Sequence, residues 1–146
     1  MITIDLKIVV KKRRGIVDYT ALEKEPEKHE LYTANYFAYR GFNVVFIRPS
    51  NIKGSHSPDF CLNGRIWETK SPIKYSESSF EDNFKKAEKQ SENVIYDLRR
   101  LRKKDEVVYL RELLKRSSSN KIKNLLVIDK NEELLTIKGS FGNIKA

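Results

Sequence analysis

The dipeptide Asn63-Gly64, within SPDFCLNGRIWETK at residues 57–70, constrains this chain more than any other short feature. A two-residue type I′ hairpin needs φ > 0 at both central positions, and Asn-Gly adopts that shape with little strain. A loop of that length also sets the register. Leu62 is expected to face Arg65, Cys61 to face Ile66, Phe60 to face Trp67, and Asp59 to face Glu68. Phe60 and Trp67 make an aromatic cross-strand pair suited to a buried face. Asp59 and Glu68 are predicted on the opposite face with Cβ atoms about 4.5–5.5 Å apart. Lys70 shares that face, because side chains alternate along a strand. Two carboxylates so placed repel each other. A hard divalent cation between them removes the penalty, and Mg²⁺ is typically held by one or two carboxylates plus waters and phosphate oxygens. An edge hairpin with solvated charges fits the same pattern, so the turn alone leaves both readings open.

The flanking sequence supplies the rest of a fold. ITIDLKIVV alternates apolar residues from Ile2 to Val10 and reads as a strand, KKRRG as a basic turn, and IVDYT as a returning strand. A helix is predicted from Pro26 in its first turn to about Arg40, stopping at Gly41, with Leu31, Ala34, Phe37 and Ala38 as its buried stripe. Glu30 falls on the edge of that stripe. FNVVFIRP is a strand and SNIKGSHS a loop. Ser78-x-x-Glu81 reads as a capping box opening a long helix whose stripe runs Phe80, Phe84, Ala87, Ser91, Val94, Ile95, Leu98 and Leu101. Gln90 lies on that side, and RRLRKK at residues 99–104 continues the helix. DEVVYLRELLKRS reads as a further helix capped by Asp105, although VVYL alone also suits a strand. KNLLVID and ELLTIK close the chain as a pair of strands. NVVFI and LLVI are continuous apolar runs that call for cover on both faces, which gives an α/β (α+β) fold: a mixed β-sheet flanked by helices in one domain, residues 1–146.

Composition narrows the class. The 146 residues are enough for a real core, and no run of 18 apolar residues marks a membrane span. The basic cluster follows the first apolar stretch, the reverse of a secretory signal. A single cysteine, Cys61, excludes an internal disulfide and a Cys-rich zinc site. Against 20 Asp and Glu stand 29 Lys and Arg, a net charge of +9, which points to a polyanionic partner. Nucleic acid and an acidic protein both qualify. A membrane surface suits the chain least, because no helix sets a broad apolar face opposite lysines.

On these residues the chain resembles the PD-(D/E)xK nucleases: Pro58-Asp59, a short hairpin, then Glu68-x-Lys70, in an αβββαβ order. HELYTANYFAYRGFNVVF, NIKGSHSPDF, WETKSP and KKAEKQSENVIYDL together resemble the tRNA nuclease domain that ends contact-dependent growth-inhibition toxins. The resemblance spans roughly residues 28–140, leaving residues 1–25 as an N-terminal strand extension without a counterpart. It implies that Asp59, Glu68 and Lys70 are catalytic, joined by Glu30 from the first helix and Gln90 from the helix after the motif. It further implies Mg²⁺ or Mn²⁺ held by Asp59, Glu68 and Glu30, a tRNA substrate, and a cognate immunity protein, which the charge of this chain makes acidic. Such a toxin acts in the target-cell cytoplasm after secretion or delivery. A chain that opens at Met1 suits either a domain cut out of such a toxin or a free-standing cytoplasmic relative.

Several residues carry plainer alternatives. Glu30 suits a helix start as a simple carboxylate, and Gln90 a helix edge. His29 and His56 would make an acid–base pair of the metal-independent ribonuclease type, or two solvated histidines. Arg99, Arg100, Arg102 and Lys103, like KKRR at residues 11–14, offer phosphate contacts or merely a solvated face. Tyr32, Tyr36 and Tyr39 offer stacking surfaces for unpaired bases or packing against the fold. A DNA endonuclease on the same core, and an inactive module that binds nucleic acid or an inhibitor, are the rival functions.

Overall fold

The computed structural model describes residues 3–4, 14–49 and 58–142. In chain order its elements are β1 (Thr3–Ile4), β2 (Val17–Asp18), α1 (Lys28–Tyr39), β3 (Val44–Phe46), β4 (Phe60–Leu62), β5 (Arg65–Lys70), α2 (Glu77–Gln90), β6 (Asn93–Asp97), α3 (Lys103–Lys115), β7 (Asn124–Ile128) and β8 (Leu134–Lys138). The strands form one mixed sheet in the order β1-β8-β7-β6-β5-β4-β3-β2. The three central strands β5, β6 and β7 run parallel, so their C-terminal ends share one edge. From α1 to α2 the order is the expected αβββα; the strand that completes αβββαβ is β6, where the sequence pattern placed a helix, and β7 and β8 are the expected closing pair.

The hairpin forms in the expected register for Leu62–Arg65, Cys61–Ile66 and Phe60–Trp67, but the expected Asp59–Glu68 pair lies outside the ladder, because Asp59 precedes β4 and its carboxylate turns to Thr69. Asn63 and Gly64 both take positive φ, 54° and 78°. Trp67 is fully buried against the α1 layer, and its indole N–H donates to the Leu62 carbonyl at 3.0 Å. Around it gather Phe37 and Ala34 of α1, Val44 and Phe46 of β3, Phe60, and Phe141. On the other side of the sheet α2 and α3 bury Phe80, Phe84, Tyr109 and Leu113 against Val94, Tyr96, Leu125 and Val127. Each such side chain contributes about 1.5–3 kcal/mol through burial.

The predicted long helix is corrected. It ends at Gln90, and residues 93–97 are the central strand β6. Val94, Ile95 and Leu98 fit a helical stripe and a doubly buried strand equally well, because a short apolar run carries no decisive period. The packing reveals the strand: Ile95 joins the α1 layer while Val94 and Tyr96 join the opposite one. Residues 99–102 therefore leave the sheet as a turn and do not extend a helix.

The caps shift as well. Ser76, not Ser78, caps α2, accepting from the Ser79 amide at 3.2 Å. Arg102 holds the cap position of α3, with Asp105 in its first turn, and VVYL is helical. Pro26 precedes α1, whose cap is Glu27. The helix ends at Tyr39, before Gly41 in the left-handed region at φ 94°. NVVFI is covered on one face only: Val45 is 43% exposed. Of the N-terminal strand pattern, Thr3–Ile4 pairs antiparallel with β8, and the rest lies outside the described residues.

Candidate active site

Strand alternation carries Trp67 into the α1 layer and sends Glu68 and Lys70 toward the α2 layer. Glu68 is a buried carboxylate, 3% exposed, at the centre of β5. Its Oε2 lies 3.0 Å from Lys70 Nζ, and its Oε1 is buried without a hydrogen-bond partner. Lys70 Nζ also donates to Gln90 Oε1 at 2.7 Å, so the last residue of α2 pins the lysine. The geometry thus brings Gln90 together with Lys70 and Glu68.

Asp59 sits just before β4, its amide bonded to the Trp67 carbonyl at 2.9 Å. Its Oδ2 accepts from the Thr69 amide at 2.9 Å and from the Thr69 hydroxyl at 2.7 Å. Thr69 was not singled out from sequence. The signal lay in the middle position of Glu-x-Lys, where a hydroxyl two residues beyond Trp67 can reach back across the hairpin. The carboxylate is thereby aimed, while its charge still acts on both Glu68 and Glu30.

Those charges leave a record. Burial pushes the Glu68 carboxyl up to about 7; the Asp59 charge adds to the rise and Lys70 opposes it. Burial also raises the Glu30 carboxyl, a bond from the Glu27 amide opposes that, and Asp59 raises it further. Glu30 Oε1 accepts from the Glu27 amide at 2.9 Å, so this residue closes the capping box of α1 and faces the acidic site as well. A cleft of about 420 Å³ lies between the start of α1, the end of β3 and the start of β4; Glu68, Lys70 and Gln90 are not among its lining residues. Glu30, Pro58 and Asp59 line it, with Phe46, and Arg48 on its rim pairs with Glu23 at 3.1 Å.

Among the described residues no group of three or more His, Cys, Asp and Glu side chains is placed to hold a metal ion, so Asp59, Glu68 and Glu30 do not form a ready three-carboxylate cage. The donor set suits an ion that takes few protein ligands. An unpartnered buried oxygen on Glu68, within reach of the Asp59 charge, fits a hard divalent cation completed by waters and phosphate oxygens.

The remaining candidates are distributed differently. Arg99 is drawn into the fold: its side chain is 6% exposed, bonded to Asp97 at 2.7 and 2.9 Å, and its guanidinium lies 3.8 Å from the Tyr32 ring centroid. Arg100 is exposed and bonds the Ser71 hydroxyl and carbonyl. Arg102 and Lys103 are exposed at the start of α3. Tyr36 is buried, with its hydroxyl on the Glu132 carbonyl, whereas Tyr32 and Tyr39 are 46% and 61% exposed. Nδ1 of His29 lies 3.3 Å from the Glu27 carboxylate. His56 and Lys11, Lys12 and Arg13 lie outside the described residues, and Arg14 covers the Tyr39 ring at 4.3 Å. No helix among the described residues is long and apolar enough to cross a membrane.

Comparison with known proteins gives this geometry a family. None of the curated proteins matches. Among solved structures, the chain is similar to the CdiA-CT/CdiI toxin and immunity complex from Burkholderia pseudomallei, with a TM-score of 0.60 and 17% identity over 85% of this chain and 99% of that one. At that identity the likeness concerns the fold. A family model described as the contact-dependent growth inhibition CdiA C-terminal domain matches residues 56–134, more than half of the chain, including the hairpin, Glu68, Lys70 and Gln90. The chain belongs to the contact-dependent growth inhibition CdiA C-terminal domains.

Proposed function

We propose that this protein is the toxin domain of a contact-dependent growth-inhibition system and acts as a metal-dependent nuclease of the PD-(D/E)xK type that hydrolyses phosphodiester bonds in tRNA. One observation carries the reading: the buried, unpartnered Oε1 of Glu68 within the field of Asp59, with Lys70 pinned between Glu68 and Gln90. An unpaired buried acceptor is destabilising, so an oxygen left over on a carboxylate as buried as Glu68 is a candidate ligand position. Asp59 and Glu68, with Glu30 directly or through a water, would hold Mg²⁺ or Mn²⁺. When bound, such an ion neutralises charge on the phosphate and makes water a better nucleophile. Lys70 donates a hydrogen bond toward the attacking water or a phosphate oxygen, Gln90 fixes its position, and Thr69 holds Asp59 in aim. Arg100, Arg102 and Lys103 contact backbone phosphates, and Arg99 supports that run from its pair with Asp97.

The partner follows from the same reading. The similar solved structure is a toxin and immunity complex. With a net charge of +9 here, the cognate immunity protein is acidic, and its association slows as salt is raised. The site of action is the target-cell cytoplasm. The deciding experiment incubates the protein with total RNA and with duplex DNA, in Mg²⁺ and in EDTA. Cleavage of tRNA in Mg²⁺ alone, without a 2′,3′-cyclic phosphate end, is the expected result. A 2′,3′-cyclic phosphate end with full activity in EDTA would overturn the metal mechanism and turn attention to His29 and His56. Cleavage confined to DNA would keep the chemistry and replace the substrate.

A further inference from the structure

A second crevice, of about 410 Å³, lies on the other flank of the start of α1. Lys28, His29, Tyr32, Arg99 and Arg100 line it, and no carboxylate does. The two flanks of the helix start therefore differ in sign: Glu30 and Asp59 line one, and Lys28 and Arg100 the other. We propose that this crevice is a subsite for an unpaired nucleotide next to the bond that is cut, with its base on Tyr32 and its phosphate between Lys28 and Arg100.

The topology ties the crevice to the end of the strand that carries Lys70. Strands β5 and β6 are parallel, with Lys70 opposite Tyr96, so Ser71 and the residues after Asp97 leave the sheet side by side. Arg100 Nε donates to the Ser71 hydroxyl at 3.0 Å, and its Nη2 donates to the Ser71 carbonyl. Ser71 directly follows Lys70, so one wall of the crevice, Arg100, is bonded to the residue next to the proposed catalytic lysine. Arg100 is exposed and held at one side only, which leaves guanidinium donors for a phosphate oxygen.

Tyr32 has the makings of a stacking platform. Its ring is backed by the Arg99 guanidinium at 3.8 Å and is still 46% exposed. Arg99 in turn is fixed by Asp97, and its Nη2 donates to the Tyr32 carbonyl at 3.1 Å. An aromatic ring so braced loses little freedom when a base stacks on it, and stacking requires the base to be unpaired. Double-stranded regions are thereby disfavoured, and the cut falls in or beside a single-stranded segment. The specificity-setting residues are then Tyr32, Lys28 and Arg100.

The subsite rests on the nuclease reading for its role but is tested apart from it, by binding in EDTA. The probe is a short single-stranded RNA carrying a fluorescent adenine analogue, whose emission is quenched on stacking, with a fully paired RNA alongside. The intact protein is expected to quench the single strand and bind the duplex less well. Tyr32→Leu should abolish the quench and weaken binding about tenfold, while Tyr32→Phe keeps both. Lys28→Ala and Arg100→Ala should each flatten the salt dependence by about one ion, and Lys121→Ala, an exposed lysine elsewhere, should weaken binding less than either. Thermal melts identify any variant that has lost its fold. If Tyr32→Leu is folded, quenches and binds as the intact protein does, the subsite is wrong even where cleavage is intact. If no nucleic acid is cut yet the Tyr32-dependent quench persists, the subsite stands and the nuclease reading falls.

Discussion

Two neighbouring strands end in the same charge pattern and use it in opposite ways. On β5 it is Glu68-Thr69-Lys70, and on β6 it is Asp97-Leu98-Arg99. Both carboxylates are buried, 3% and 0% exposed. Asp97 is fully occupied: Oδ2 accepts from the Thr33 hydroxyl at 2.7 Å and from Arg99 at 2.7 Å, and Oδ1 accepts from Arg99 Nε at 2.9 Å and its amide at 3.2 Å. Glu68 has one ion pair and one empty oxygen, with a second carboxylate nearby. An acid–x–base pattern is therefore structural when every lone pair is met, and a candidate for chemistry when one is left over.

The largest difference should appear in activity. Glu68→Gln and Asp59→Asn each remove a charge the proposed ion needs, and tRNA cleavage should fall to background, about a thousandfold or more. Asp97→Ala should leave residual cleavage in whatever fraction stays folded, because its loss acts on stability. A gel assay at matched folded concentration reads both. Full activity in Asp59→Asn would make the hairpin motif accidental.

Stability should reverse that ranking. Asp97→Ala strands the Arg99 guanidinium in the interior and should destabilise the protein by about 3–5 kcal/mol. Asp59→Asn and Glu68→Gln relieve like-charge repulsion and should melt, without metal, no lower than the parent. A marked drop in either would mean that its carboxylate is structural after all, through Thr69 in the case of Asp59.

A smaller and more diagnostic effect is expected from pH. Glu68 holds its proton more tightly folded than unfolded, with a carboxyl pushed up from 4.5 to about 7. The folded state then binds more protons between those values, so the contribution of Glu68 to metal-free stability is full below about pH 4.5 and is lost as pH rises through about 7. The decline reaches about 3 kcal/mol at most from Glu68, and Glu30, raised in the same direction, adds to it. Glu68→Gln should flatten most of this slope, and saturating Mg²⁺ should flatten it too by favouring the charged form. Urea melts from pH 4.5 to 8 would show it; an unchanged slope in Glu68→Gln would place the titration elsewhere.

The smallest test concerns the turn that orients the site. Gly64→Ala introduces a Cβ at φ 78° and should lower stability by about 1 kcal/mol through backbone strain alone, since nothing lies within 4 Å of that Cβ. Cleavage per folded molecule should be nearly unchanged.

Turn chemistry and side-chain period were enough to read much of this molecule. Asn63-Gly64 specifies the hairpin and its register before any tertiary contact exists, because positive φ at two successive residues admits few alternatives. The α1 stripe and the closing strands were legible for the same reason, as local periodicity. Strand β6 was not, because Val94, Ile95 and Leu98 satisfy a helix on one face and a strand on two, and only the layers above and below the sheet decide between them. The site divides along the same line. Residue types and spacing marked Asp59, Glu68 and Lys70, and the family resemblance added Glu30 and Gln90. That Gln90 grips Lys70, Thr69 aims Asp59, and Glu68 keeps an oxygen empty while Asp97 keeps none are long-range facts. Burial and partner geometry exist only once the sheet and helices have packed, and they determine which buried charge holds the fold together and which is left to act.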